Sequence, residues 1–101
     1  MNQIINGKKY DTETAEYVAK DESSLGRGDF SYYYEELYRK KTGEFFLYGE
    51  GNAASNYSQA CQGGYTGGAK IIPLTLEEAK KWCERVLTTE SYEEVFGEVE
   101  E

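Results

Sequence analysis

Few residues in this chain could carry covalent or acid–base chemistry: two cysteines, Cys61 and Cys83, and a scatter of carboxylates. There is no histidine, so the commonest general base and metal ligand is missing. A cysteine nucleophile needs a neighbouring base to raise its thiolate fraction, which leaves both thiols poor candidates for catalysis. Cys83 falls on the apolar face of a predicted helix and reads as a small core residue. Cys61 lies in a glycine-rich stretch, where a plain loop residue and a functional thiol are both open readings. Glu35 and Glu36 are adjacent, but neighbours on a strand point to opposite faces, so they cannot flank one substrate; they read as solvated strand residues. A zinc site would need four ligands, and no Asp-rich loop with calcium spacing occurs. The run Gly63-Gly64-Tyr65-Thr66-Gly67-Gly68 has the glycines of a phosphate loop but not its Gly-Lys-Ser/Thr ending, and no helix start follows it. These residues predict a protein that is not an enzyme and carries neither cofactor nor metal.

What remains is binding, and residues 32–50 carry the pattern for it. They alternate aromatic, acidic and apolar residues around Lys41-Thr42-Gly43, a three-residue hairpin loop with Gly43 in the left-handed position. This loop sets Leu37 opposite Leu47, Tyr38 opposite Phe46 and Lys40 opposite Glu44, matching like with like and opposite charges; a two-residue Thr42-Gly43 loop would instead pair Tyr38 with Leu47. One face then holds Tyr33, Glu35, Leu37, Arg39, Phe45 and Leu47. The other holds Tyr32, Tyr34, Glu36, Tyr38, Lys40, Glu44, Phe46, Tyr48 and Glu50. If a helix covers the Leu37–Leu47 face, the second face offers tyrosines interleaved with carboxylates. From it the candidate partner-binding set is Tyr32, Tyr34, Glu36, Tyr38, Glu44, Tyr48 and Glu50. Tyrosine supplies contact area at low entropy cost, and the carboxylates suit a basic partner. The competing reading is that the N-terminal strands cover this face.

The elements around the hairpin follow from pattern. Residues 4–10 read as strand–turn–strand about Asn6-Gly7, and residues 16–20 as a further strand. Residues 23–29 are a loop, and residues 52–70 a long glycine-rich loop in which 53–60 could form one short helix. Ile71 to Leu74 is a short apolar segment. Thr75 and Glu78 form a capping box, and Leu76, Ala79, Cys83, Val86 and Leu87 recur at helical spacing over 76–87, flanked by Trp82. Ser91 and Glu94 form a second box that opens a helix over 92–97 and stops at Gly97. Strands followed by helices predict an α+β fold: a small antiparallel sheet with a central hairpin and one or two C-terminal helices, as a single domain over 1–101. With ten Tyr, four Phe and one Trp among 101 residues, the domain should be thin, its aromatic area only half covered.

Charge narrows the partner. The formal net charge is −8, but six of the 19 acids lie within residues 90–101, which hold no Lys or Arg. The body before them carries 13 acids against 11 bases, or −2. Glu93, Glu94, Glu98, Glu100 and Glu101 form an acidic tail suited to steering a basic partner, and direct binding of nucleic acid is disfavoured. No signal-like or membrane-spanning apolar run occurs. A cytoplasmic protein with reduced thiols is expected.

Several stretches resemble a family of small acidic proteins of Firmicutes, their prophages and mobile elements. The likeness rests on Ile5-Asn6-Gly7-Lys8-Lys9-Tyr10-Asp11 through Ala15, on the run from Glu35 to Gly51, on Ile71-Ile72-Pro73-Leu74-Thr75, and on residues 92–98. It covers most of the chain and brings no catalytic residues. The resemblance implies an inhibitor of anti-CRISPR or antirestriction type, blocking a host defence enzyme that handles nucleic acid, a CRISPR effector foremost, in the host cytoplasm. The alternatives are an antitoxin-like regulatory partner of a co-encoded protein, and a small metal- or ligand-binding protein using Cys61.

Overall fold

The computed structural model describes residues 1–101 as an α+β fold in three thin layers, with principal extents of 49 × 33 × 20 Å. The central layer is an antiparallel sheet of β3 (Glu16–Glu22), β4 (Tyr33–Arg39), β5 (Phe45–Gly51) and β8 (Gly68–Leu74), in the order β3-β4-β5-β8. Separate two-stranded hairpins are made by β1 (Asn2–Ile5) with β2 (Lys8–Asp11), and by β6 (Gln59–Cys61) with β7 (Gly64–Thr66). Helices α1 (Leu76–Val86) and α2 (Thr89–Phe96) complete the chain.

The central hairpin takes the three-residue loop: Leu37 pairs with Leu47, Tyr38 with Phe46 and Arg39 with Phe45, and the Lys40 amide donates to the Glu44 carbonyl at 2.7 Å. Gly43 sits at φ 93°, a conformation that side chains with a Cβ resist. Asn6 and Gly7, at φ 51° and 79°, make the two-residue turn between β1 and β2.

One face of the sheet is covered by the helices. Ala19, Leu37, Phe45 and Leu47 pack with Ala79, Trp82 and Cys83 of α1, while Tyr92, Val95 and Phe96 of α2 close the side. The other face is covered at one end by the β1–β2 hairpin, where Tyr10 meets Phe46 edge-on at 5.4 Å and Phe46 stacks on Tyr38 at 5.4 Å. Lys40 lays its ammonium 3.7 Å from the centre of the Tyr10 ring, joining hairpin and sheet by a cation–π contact.

The structure departs from the sequence reading in four places. Residues 53–57 form turns and residues 59–60 open β6, so no helix forms over 53–60. The glycine-rich segment holds the β6–β7 hairpin, and β8 begins as early as Gly68, because β5 supplies hydrogen-bonding partners back to Gly51. Its Pro73 is tolerated because β8 is an edge strand. Helix α2 starts earlier than Ser91: Thr88 is its N-cap and accepts the Ser91 amide. On α1 the Thr75–Glu78 capping box forms, but Leu76 is exposed and Trp82 is buried, so the buried stripe is rotated toward the tryptophan.

Candidate functional site

Beyond the β1–β2 hairpin, the helix-free face of the sheet lies open, and strand register decides what it displays. Tyr34 of β4 is flanked by Glu22 of β3 and Glu50 of β5, and in the next row Glu36 is flanked by Lys20 and Tyr48. Carboxylates and phenols therefore alternate both along and across the strands. Three phenols here donate to carboxylates: Tyr34 and Tyr38 to the two oxygens of Glu36, both at 2.8 Å, and Tyr48 to Glu50 at 3.0 Å. Partial burial, followed by the bond to Glu36, pushes Tyr34 well above the ordinary phenol range and Tyr38 up to about 12. Burial and Glu50 raise Tyr48 in the same way. At neutral pH these hydroxyls are donors, and they lock the glutamates in single orientations.

The structure brings together Tyr34, Glu36, Tyr48 and Glu50 of the predicted binding set. Tyr38 lies on the same face but is only 8% exposed, covered by the β1–β2 hairpin. Tyr32 precedes β4, is 5% exposed and donates to Glu22 at 2.6 Å, so it orients a carboxylate from below. Glu44 stands at the opposite end of the hairpin, paired with Lys8 at 3.0 Å and Lys40 at 3.7 Å. In the predicted acidic tail, Glu93 and Glu94 belong to α2, Glu93 accepting the Val99 amide at 2.9 Å, and Glu98, Glu100 and Glu101 are exposed after it. Helix α2 is on the helical side of the sheet, away from the tyrosine–glutamate face.

Two sets of residues escaped the sequence reading. Glu22 and Lys20 join the open face because β3 carries a bulge between Tyr17 and Ala19. Strict alternation from Tyr17 would have turned both toward the helices, so no local signal marked them. The second set surrounds Glu35, on the helical face. Its carboxylate accepts from Trp82 Nε1 at 3.0 Å and from the hydroxyl of Tyr57, whose ring is 2% exposed. Asp21 is the cross-strand partner of Glu35 and accepts from Tyr33 at 3.1 Å and Arg85 at 3.4 Å. Glu35 is thus half-buried and bonded rather than solvated.

This network borders a recess of about 250 Å³ lined by Tyr33, Glu35, Asn56, Tyr57 and Arg85. Both Glu35 oxygens are taken by donors from within the protein, and no buried side-chain polar atom lacks a partner. Its chemistry is that of a clamp: it ties β3, β4, α1 and the turn at residues 52–58 to one another. Of the thiols, Cys83 is fully buried and pushed up to about 11 by that burial, whereas Cys61 is exposed on β6. No three Cys, Asp or Glu side chains converge as a metal site would require, and no helix is long and apolar enough to cross a membrane.

No protein-family model, no curated protein and no solved structure matches this chain.

Proposed function

We propose that this protein is a non-enzymatic binding protein that docks the open tyrosine–glutamate face onto a basic protein surface. The observation that supports the reading is the alternation of phenols with carboxylates already held by their hydroxyls. A carboxylate fixed before contact loses little freedom on binding, and the flanking rings offer planes for guanidinium groups. Arginine-rich surfaces that normally hold phosphates have the matching chemistry. The resemblance to proteins of prophages and mobile elements directs the choice of target to host defence enzymes, a CRISPR effector or a restriction nuclease, in the cytoplasm of the host. Exposed acids after α2 add a salt-sensitive attraction from the far side of the sheet.

The experiment is a cleavage assay with purified CRISPR effectors and restriction nucleases of the host, with and without excess protein. Inhibition of one of them, relieved by Glu22→Lys, Glu36→Lys and Glu50→Lys together, is the expected result. A charge-reversed variant that inhibits as well as the parent would remove this face from the function, and lack of inhibition throughout would remove the target class.

A further inference from the structure

The β6–β7 hairpin projects from the end of the sheet, and nothing in the rest of the chain covers it. All residues from 59 to 66 are exposed, Tyr65 to 68%. Three residue pairs hold the two strands together: Gln59 with Thr66, Ala60 with Tyr65 and Cys61 with Gly64. A two-stranded hairpin of this size, with no face against a core, is marginal by itself and is strengthened by another strand. Both of its outer edges carry main-chain amides and carbonyls with no strand beside them.

The hairpin also differs from the body in charge. Residues 51–69 contain no Asp, Glu, Lys or Arg, a run of 19 in a chain that is 30% charged with a net charge of −8. Edge strands that must stay single are usually blunted by charge, and β3 shows this with its bulge and with Glu16, Lys20, Asp21 and Glu22. The β6–β7 hairpin has no such protection. Two copies of an acidic chain repel over most of their surfaces, whereas two β6 strands can meet without bringing like charges together. Strand β6 is the better edge of the two: its residues are regular, whereas β7 opens on Gly64 at φ 145°.

We propose that this protein self-associates through β6, the strand of one copy pairing antiparallel with β6 of a second copy about a two-fold axis at Ala60. The result is a four-stranded ribbon, β7-β6-β6-β7, with one face bearing Ala60 and Tyr65 of both copies. Strand geometry then places the two Cys61 residues on the opposite face, about 8 Å apart at their Cα atoms. The contact is small, so the dimer is weak and forms at high protein concentration.

The test is analytical ultracentrifugation of the full chain over a concentration series, alongside cross-linking with a short bis-maleimide, for which Cys61 is the exposed thiol and Cys83 the buried one. A monomer–dimer equilibrium is expected, its dissociation constant falling by roughly threefold from low to high salt as repulsion between the bodies is screened. A Cys61–Cys61 cross-link should form in step with the dimer. Ala60→Glu, which sets two carboxylates at the axis, should abolish both signals with the unfolding midpoint unchanged, and Ala60→Ser should keep them. A monomer at all concentrations without cross-link would overturn the proposal and leave the hairpin free for a different protein. A dimer indifferent to Ala60→Glu, or one weakened by salt, would place the interface elsewhere.

Discussion

Replacing Gly49 by alanine should unfold this protein more readily, although backbone entropy alone argues for the opposite. Glycine within a strand is destabilising by roughly 0.5–1 kcal/mol relative to alanine, so an unobstructed site would gain from the exchange. Gly49 is obstructed. A Cβ there would lie 2.0 Å from Cζ and 2.2 Å from the hydroxyl oxygen of Tyr57, distances no real contact reaches. The ring must move outward by about an ångström or more to restore van der Waals separation. That motion uncovers a phenol now 2% exposed and breaks its bond to Glu35, leaving a half-buried carboxylate one donor short. Removing a buried aromatic ring outright costs about 3–5 kcal/mol, and losing a hydrogen bond to a charged group about 1.5–3; the two overlap because one displacement causes both. A net loss of about 3 kcal/mol is expected, or roughly 12–24 °C in melting temperature for a domain of this size. Urea unfolding followed by fluorescence of Trp82, the single tryptophan and itself a donor to Glu35, measures it. Gly49→Ala should add little once Tyr57→Ala has removed the obstacle, giving strong coupling in the double-mutant cycle. An unchanged or raised midpoint for Gly49→Ala, or additive losses, would refute the packing of Tyr57 on β5.

Other outcomes follow from the same contacts. Tyr57→Phe and Glu35→Gln should each lose about 1.5–3 kcal/mol and the double variant little more, since both break one bond; chemical denaturation of the four proteins checks this. Stability should fall as pH rises from about 10 toward 12, because Tyr34, Tyr38 and Tyr57 hold their protons more tightly in the folded than in the unfolded chain. The stabilisation is fully present below the unfolded phenol pKa and is lost as the folded one is passed. Ionisation of these three phenols, followed by NMR of their ring resonances, should therefore rise together with unfolding, and any of the three ionising while the fold persists would contradict it. Cys61 should react with a thiol reagent at once and Cys83 only at the rate of unfolding, a biphasic trace readable by mass spectrometry.

Local chemistry was enough to place most elements of the α+β fold. Asn6-Gly7 and Lys41-Thr42-Gly43 encode turns through backbone conformations open mainly to glycine and asparagine, and the second one sets the register of the central hairpin. The Thr75–Glu78 box marks a helix start for a similarly local reason. Where the pattern is weak, its reach ends. Strand β8 holds Gly68, Ala69 and Pro73 and is a strand because β5 offers it an edge, a cause outside its own residues.

Of the candidate site, the sequence by itself determined that tyrosines and glutamates alternate on β4 and β5, because side chains on a strand change face at every residue. It also determined that acids gather after α2. Only the tertiary structure decided which tyrosines stay open, since coverage of Tyr38 depends on where the β1–β2 hairpin folds back. Only the bulge in β3 brought Glu22 and Lys20 to that face, by reversing the alternation that precedes it. And Glu35 became the centre of a clamp through Trp82, 47 residues away, and Tyr57, 22 away, partners that no spacing along the chain could announce.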